Sequence, residues 1–212
     1  MTDSAQLFQD NKFLVVKNLL NQDLTTLLYS YCITTVQRAD YLQTYHSDIY
    51  NEYLEGIFND GQAKGYGRYG DPLMDTVLSL FTDAMSVYTG LELLPNYTYW
   101  RLYEHGSDLK KHVDRLSCEI SVTICLGEDN SMVDTEMYPD YHWPIFVESN
   151  GQNIPVPLEP GDALIYKGTE VPHWREPFKG THQAQLFMHY NDKNTTTNNV
   201  FDGRPLLGVP KT

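Results

Sequence analysis

The order of the sequence patterns predicts an α+β fold in which helices come first and an antiparallel β-sandwich or barrel follows. Residues 1–95 contain a strand-like run and two stretches with apolar residues at helical spacing, whereas a period of two begins at Tyr97. About seven or eight short strands then follow, separated by turn residues. Short strands in close succession are expected to pair antiparallel around one core.

The N-terminal region begins with a predicted strand and a predicted amphipathic helix. Residues 12–17 form an apolar, strand-like run. Apolar residues at helical spacing follow as far as residue 32, and Asn21 is placed to act as the N-cap. The order is therefore strand, then helix.

A loop and a second helix complete this region. Residues 39–70 are polar and rich in Tyr and Gly, which favours a loop with a short helix. Asp71 is placed as the N-cap of the second helix, with Pro72 at its first position and Gly90 at its end.

The second half reads as a series of strands. The strand-like runs are residues 97–103, 118–126, 143–147, 154–158, 163–166 and 184–190. Asn150 and Gly151 predict a hairpin turn, and the prolines beside it indicate sheet edges. Residues 191–199 are rich in Asn and Thr and are predicted to form a loop or tail.

Length and composition predict a single domain over residues 1–212, with supporting elements in 1–95, a strand-rich core in 96–190 and a tail in 191–212. A formal net charge of −13 argues against nucleic acid and anionic membranes as partners. The three widely spaced cysteines fit free thiols in a reducing compartment. Because no apolar run approaches ~20 residues, we expect a soluble, cytoplasmic protein.

His112, Asp114 and His173 supply two imidazoles and one carboxylate. This is the ligand set of the facial triad that holds Fe(II) on one face and leaves the other open. Residues two apart on a strand point the same way, so His112 and Asp114 can chelate one ion. The alternative is a surface histidine with a strand-end salt bridge. A second His-x-Asp pair, at His46 and Asp48, lies in a polar stretch without strand alternation and is not expected to bind metal.

These residues belong to a longer sequence pattern that is similar to the pattern of a known protein family. The pattern consists of Tyr103-x-x-Gly106-x-x-Leu109-x-x-His112-x-Asp114, then Leu158-x-Pro160-Gly161-Asp162-Ala163-Leu164-Ile165-Tyr166, and His173. It resembles the 2-oxoglutarate/Fe(II)-dependent oxygenases, most of all their prolyl-hydroxylase-related branch. The resemblance covers roughly residues 97–190, and the strand and helix within 12–32 also resemble that branch.

The resemblance implies a double-stranded β-helix, or jelly roll, as the catalytic core, with the N-terminal helices as its support. It implies that His112, Asp114 and His173 ligate Fe(II) at the mouth of the barrel. It also implies 2-oxoglutarate as cosubstrate, which is converted to succinate and CO2 while a C–H bond of a small molecule or peptide is hydroxylated. The Asp at the second ligand position resembles the pattern of the family's hydroxylases and not that of its halogenases.

One position departs from the family's pattern. The family holds the distal carboxylate of 2-oxoglutarate with Arg or Lys about nine or ten residues after the second histidine, where this chain has His182 and Gln183. We favour Tyr103 and Gln183 as the substitutes, because a Gln side chain can donate to a carboxylate without the charge-assisted fork of Arg. Arg101 or Arg115 would then supply the positive charge.

Other interpretations of the same residues remain open. Arg175 or Lys179 could supply the charge, although both precede the expected strand. The protein could also be an iron oxygenase that does not use 2-oxoglutarate, or a metal-binding jelly roll without turnover. Residues 128–142 are acidic and irregular, which is typical of either a substrate-binding loop or a solvated insertion. The sequence makes no prediction of oligomeric state.

Overall fold

The computed structural model describes residues 3–195 and 200–211. The helices are α1 (Asp3–Asn11), α2 (Gln22–Tyr45), α3 (Glu52–Glu55) and α4 (Pro72–Thr89). The strands are β1 (Phe13–Val16), β2 (Ile57–Phe58), β3 (Gly65–Tyr69), β4 (Leu93–Glu104), β5 (Leu109–His112), β6 (Ile120–Asp129), β7 (Ile145–Ser149), β8 (Gln152–Val156), β9 (Ala163–Lys167), β10 (His173–Arg175) and β11 (His182–Asp192).

The strands form two antiparallel sheets that face each other. The larger sheet has the order β1-β9-β6-β11-β4-β3-β2, and the smaller has the order β5-β10-β7-β8. Helices α2 and α4 pack on the outer face of the larger sheet and close the main hydrophobic core. The predicted α+β class, with helices first and an antiparallel sandwich after them, is confirmed.

Strand β6 shows how alternation divides the larger sheet into two faces. Ile120, Val122 and Ile124 belong to the core beneath the helices. The side chains between them, Ser121 and Thr123, are fully buried and point into the space between the sheets. The outward face of β6, which meets the helices, is therefore apolar. Its inward face, between the two sheets, carries buried polar groups.

Two predicted N-caps, one predicted helix end and one predicted turn are confirmed. The side chain of Asn21 accepts from the backbone N–H of Leu24 at the start of α2. Asp71 caps α4 in the same way, and Gly90 ends that helix in the left-handed conformation. Asn150 and Gly151 both have positive φ and join β7 to β8 as a two-residue hairpin turn.

The loop predicted for residues 39–70 is wrong at both ends. Helix α2 continues to Tyr45, because no Gly or Pro interrupts it and because Thr35 and Ala39 extend its buried side. Residues 65–69 form strand β3, which pairs with β4. Gly67 leaves room for the ring of Tyr99 on the neighbouring strand, so a glycine that indicates a loop in the sequence serves close strand packing here.

The C-terminal residues return to the core. Nη1 of Arg204 lies 2.9 Å from Oδ2 of Asp75 on α4, and both side chains are buried. The loop or tail predicted for residues 191–199 begins later, because β11 continues through Asp192, and residues 196–199 lie outside the described part of the chain. The division at 1–95, 96–190 and 191–212 stays a prediction.

Two further observations bear on the predicted environment. Cys32, Cys118 and Cys125 are buried, free thiols. Over residues 3–195 and 200–211, no helix has the length and apolar character needed to cross a membrane.

Candidate metal centre

His112, Asp114 and His173 converge at one end of the smaller sheet. The two histidines are directly opposite each other on the paired strands β5 and β10. The Nε2 atoms of both lie 3.5 Å from the same oxygen of Asp114, Oδ1. One potential ligand atom from each residue therefore falls within 4.8 Å of the others, which is the spacing needed to share a single ion.

The hydrogen bond of Nδ1 in each histidine ring determines which nitrogen faces the candidate metal site. Nδ1 of His112 lies 2.7 Å from the carbonyl of Lys110, and Nδ1 of His173 lies 3.0 Å from the carbonyl of Val171. A carbonyl can only accept, so Nδ1 carries a proton in both rings and Nε2 is the nitrogen left to bind a metal. Nε2 of each ring is directed toward Asp114, as in metal sites where the outer nitrogen holds the ring in place.

Hydrogen bonds hold Asp114 so that one of its carboxylate oxygens stays available to His112 and His173. Its backbone N–H donates to the carbonyl of Gly168, and its Oδ2 accepts a 2.7 Å hydrogen bond from the hydroxyl of Ser121. Burial opposes ionisation, but the contacts with His112 and His173 outweigh it and lower the pKa of Asp114. The donor set is therefore two imidazoles and one carboxylate, which fits Fe(II).

Glycine at position 168 is required by the packing around Asp114. A Cβ on Gly168 would lie 2.5 Å from Oδ2 of Asp114 and 2.7 Å from Oγ of Ser121, and it would also meet the carbonyl of Cys118. The backbone of the turn after β9 thus fits directly against the candidate ligand, and only a residue without a side chain permits this contact.

An irregularity in β5 brings Leu109 and His112 to the same side. The pairing with β10 shifts between His173, which faces His112, and Arg175, which faces Leu109. The extra residue on β5 is typical of a β-bulge, and bulges redirect side chains next to functional sites. Both Leu109 and His112 line the central cavity as a result.

The cavity between the sheets has a volume of about 360 Å³ and is lined by the triad together with Arg101, Tyr103 and Arg115. Three of the four predicted cosubstrate residues therefore share one cavity with the candidate ligands. The two arginines already hold carboxylates: Nη2 of Arg101 lies 2.6 Å from Asp60, and Nη2 of Arg115 lies 2.9 Å from Asp202.

Gln183, the fourth predicted residue, is buried and directly opposite Tyr103 on the paired strands β11 and β4. Its Nε2 donates to Oε2 of Glu128 at 3.1 Å. The other oxygen of Glu128 lies 2.6 Å from Nδ1 of His142. Gln183 also donates from Nε2 to Sγ of Cys125 at 3.5 Å, so both of its amide N–H groups that could have bound a cosubstrate are directed to side chains of the protein. Its role and those of Arg101, Tyr103 and Arg115 stay predictions.

The sequence interpretation missed two side chains that support the triad. The hydroxyl of Ser121, which donates to Asp114, also lies 3.0 Å from Nδ1 of His189, its cross-strand partner on β11. Burial lowers the pKa of His189 to about 4, so this ring is neutral at neutral pH and donates from Nδ1 to Ser121. The sequence signal that could have revealed Ser121 is a polar residue on the inward face of β6, because the alternate residues on the outward face are apolar.

Only one other group of possible ligands occurs in the described ranges. It consists of Asp114, Cys118 and His189, and it shares Asp114 with the triad. Neither group contains His46 or Asp48.

Comparison with known proteins defines the fold. No family model and no curated protein matches the chain. Solved structures do match, among them a prolyl-4-hydroxylase from Pseudomonas putida, with a TM-score of 0.65 at 17% identity over 90% of this chain and 98% of that one. A 2OG-Fe(II) oxygenase-family oxidoreductase from Burkholderia pseudomallei gives a TM-score of 0.59 at 16% identity over 93% of each chain.

A third match is the non-heme alpha-ketoglutarate-dependent carbocyclase of nogalamycin biosynthesis, with a TM-score of 0.66 at 11% identity over 100% of this chain and 94% of that one. All three span nearly their full length on this chain. The shared feature at such low identity is the fold, which is the jelly roll of 2-oxoglutarate/Fe(II) oxygenase structures. The predicted jelly-roll core is confirmed.

Proposed function

We propose that this chain is a non-haem Fe(II)- and 2-oxoglutarate-dependent oxygenase that hydroxylates a C–H bond of a small molecule or of a peptide side chain. The observation that carries the proposal is the convergence of Nε2 of His112 and Nε2 of His173 on one oxygen of Asp114. The oxygenase and hydroxylase structures with the same fold support it.

The residues of the chain would prepare the site in three ways. His112, Asp114 and His173 bind the ion from one side and leave its other side toward the cavity. Bound Fe(II) and 2-oxoglutarate supply the O2-dependent oxidation. The enclosing walls separate the reacting C–H bond from bulk water, which is the usual contribution of the protein in cofactor chemistry.

The cavity restricts the substrate. Its volume of about 360 Å³ lies near the lower end of the range typical of small-molecule sites, about 300–1,000 Å³. Its wall combines aromatic rings with the ion pairs of Arg101 with Asp60 and Arg115 with Asp202. The same cavity also has to hold the metal and 2-oxoglutarate, so the space that remains suits a small polar molecule or the end of a single extended side chain.

The proposal is tested by anaerobic titration of the metal-free protein with Fe(II) and then 2-oxoglutarate. We expect one equivalent of Fe(II) to bind and the keto acid to produce a visible metal-to-ligand charge-transfer band. The His173→Ala protein should lose both, whereas the matched control His46→Ala should retain both. Admission of O2 to the wild-type complex should then yield succinate.

Three results would contradict the proposal. Failure of the wild-type protein to bind divalent metal would overturn the site. Iron binding without a band or succinate would overturn the cosubstrate and favour an oxygenase with another cosubstrate. A band without succinate, with or without candidate substrates, would favour a metal-binding protein without turnover.

A further inference from the structure

We propose that Arg175, together with the hydroxyl of Tyr103, holds the distal carboxylate of 2-oxoglutarate in this protein. The inference rests on the proposed function, and it assigns the carboxylate-binding charge to strand β10 and not to β11. Arg175 is two residues beyond His173 on the same strand.

Arg175 is a buried charge without an acidic partner. Its exposed fraction is 2%, and among the described residues no ion pair joins its guanidinium to a carboxylate. One hydrogen bond is formed, from Nη1 to the carbonyl of Trp143 at 2.8 Å, while the buried Nε has no partner. Because an unpaired buried charge is strongly unfavourable, a bound anion would resolve an imbalance that the polypeptide leaves in place.

The position of Arg175 suits a ligand that also reaches the metal. Residues two apart on a strand project to the same side and are separated by about 6–7 Å, so Arg175 and His173 both face the space between the sheets. A short keto diacid with its 2-oxo acid end at the metal extends over a similar length. The bond from Nη1 to the carbonyl of Trp143 helps to fix the guanidinium in this position.

Tyr103 brings a second unsatisfied donor to the same place. The indole of Trp143 contacts both side chains: Cζ of Arg175 lies 4.6 Å from its ring, and the ring of Tyr103 lies 5.0 Å from it. The buried hydroxyl of Tyr103 has no hydrogen-bond partner. Tyr103 also lines the cavity that contains the triad, whereas Arg175 lies next to that lining, on the other side of the Trp143 contact, so a diacid at the metal would have to extend past Tyr103 to reach the guanidinium.

The other basic residues near the site have partners. Arg101 is paired with Asp60, and Arg115 is paired with Asp202. Lys179 is exposed and lies over the ring of Tyr138. Arg175 is therefore the basic side chain of the described site that combines full burial with the absence of a carboxylate.

The acidic and titratable groups around Arg175 do not neutralise its charge. Glu128, the nearby carboxylate on β6, is bound by His142 and Gln183. Cys125, Tyr141 and Tyr166 also face the guanidinium. Burial raises the pKa of each of these three groups, so they are neutral at neutral pH and do not compensate the charge of Arg175.

The test compares 2-oxoglutarate with 2-oxovalerate, which has the same carbon chain but lacks the distal carboxylate. Binding of each acid to the anaerobic Fe(II) protein is measured from the charge-transfer band. The wild-type protein should bind 2-oxoglutarate about 10- to 100-fold more tightly than 2-oxovalerate, as expected for one charged hydrogen-bonding group. Arg175→Gln should lose this preference, because only the affinity for 2-oxoglutarate falls.

Two further variants distinguish a binding role from a packing role. Arg115→Gln removes a charge from the cavity wall and should keep the preference for the diacid. Arg175→Lys keeps the charge and should recover part of the preference. Thermal unfolding and Fe(II) affinity are recorded for every variant, so that loss of the fold or of the metal is recognised separately.

The outcomes separate this inference from the proposed function. A wild-type protein that binds both acids equally would overturn the inference, even if Arg175→Gln fails to fold. A preference that survives in Arg175→Gln, or that disappears only in Arg115→Gln, would also overturn it. A wild-type protein that binds iron but gives no band with either acid would overturn the proposed function, and this inference with it.

Discussion

The hydroxyl of Ser121 donates a 2.7 Å hydrogen bond to Oδ2 of Asp114. This contact fixes the rotation of the carboxylate, so that Oδ1 is the oxygen turned toward the two histidines. Ser121 lies on the larger sheet, whereas His112 and His173 lie on the smaller one. The hydrogen bond therefore aligns the facing layers of the sandwich at the candidate metal centre.

Replacement of Ser121 by Ala should weaken metal binding without unfolding the protein. Loss of a group that orients a ligand typically reduces metal affinity by about 10- to 100-fold. Competitive titration with a chromophoric chelator measures this change, with Ser131→Ala as the control because Ser131 is an exposed serine outside the site. Equal affinities of the two variants would show that Ser121 does not orient Asp114.

Replacement of Gly168 by Ala should disrupt the same site by a steric route. The new Cβ would lie 2.5 Å from Oδ2 of Asp114, so the carboxylate or the turn has to move. We expect a loss of about 1–3 kcal/mol in unfolding free energy and a weakened metal affinity. Gly151→Ala is the control: it strains a positive-φ hairpin turn, with open space around its Cβ, and should leave metal affinity unchanged. Wild-type metal affinity in Gly168→Ala would argue against the close contact.

Replacement of Asp75 by Ala should strongly destabilise the fold. Asp75 accepts hydrogen bonds from Thr98, Arg204 and Gly208, and its removal leaves the Arg204 guanidinium buried without a counter-charge. The expected loss in unfolding free energy is about 3–5 kcal/mol, measured by urea denaturation. The exposed pair of Glu92 and Lys193 provides the comparison, since Glu92→Gln should cost about 0–1 kcal/mol. Similar losses for both variants would contradict the structural role of Asp75.

Asp202 should make the stability depend on pH. Burial opposes its ionisation, but hydrogen bonds from Arg115, Lys211 and Tyr69 outweigh burial and lower its pKa below the ordinary 3.8. A lowered carboxyl pKa stabilises the folded state above the unfolded-state value, and that contribution disappears as the pH falls through the folded-state value.

The expected difference in unfolding free energy between the wild-type protein and Asp202→Asn is therefore constant from neutral pH down to about pH 5 and decreases below about pH 4. Asn tolerates the positive φ at this position, so the comparison reports the charge and not the backbone. Denaturation curves at a series of pH values measure the difference. A difference that does not change with pH would mean that the ion pairs of Asp202 contribute nothing.

Local patterns were sufficient for much of the fold. Asn21, Asp71 and Gly90 could be assigned because caps and helix ends depend on a few adjacent residues. The inward and outward faces of β6 follow from strict alternation. By contrast, the strand character of residues 65–69 depends on pairing with β4, and no local pattern reports a distant strand.

The candidate ligands were found for a similar reason. His112 and Asp114 are two residues apart, and their shared direction follows from strand geometry alone. The support of Asp114 by Ser121 and the isolation of Arg175 are properties of strands that are distant in sequence. Alternation along the strand predicts that Arg175 points the same way as His173. The sequence does not predict that Arg101 and Arg115 are already paired with carboxylates.

The place of β11 in the larger sheet has a consequence for the assembly of the protein. Strand β11 is the last strand of the described chain, yet it lies between β6 and β4 and joins the three strands on one side to the three on the other. During synthesis, β4 and β6 emerge well before the partner that separates them. Until β11 arrives, these two edges are open to incorrect pairing with each other or with another molecule. Protection of the nascent chain during this interval should therefore raise the yield of folded protein.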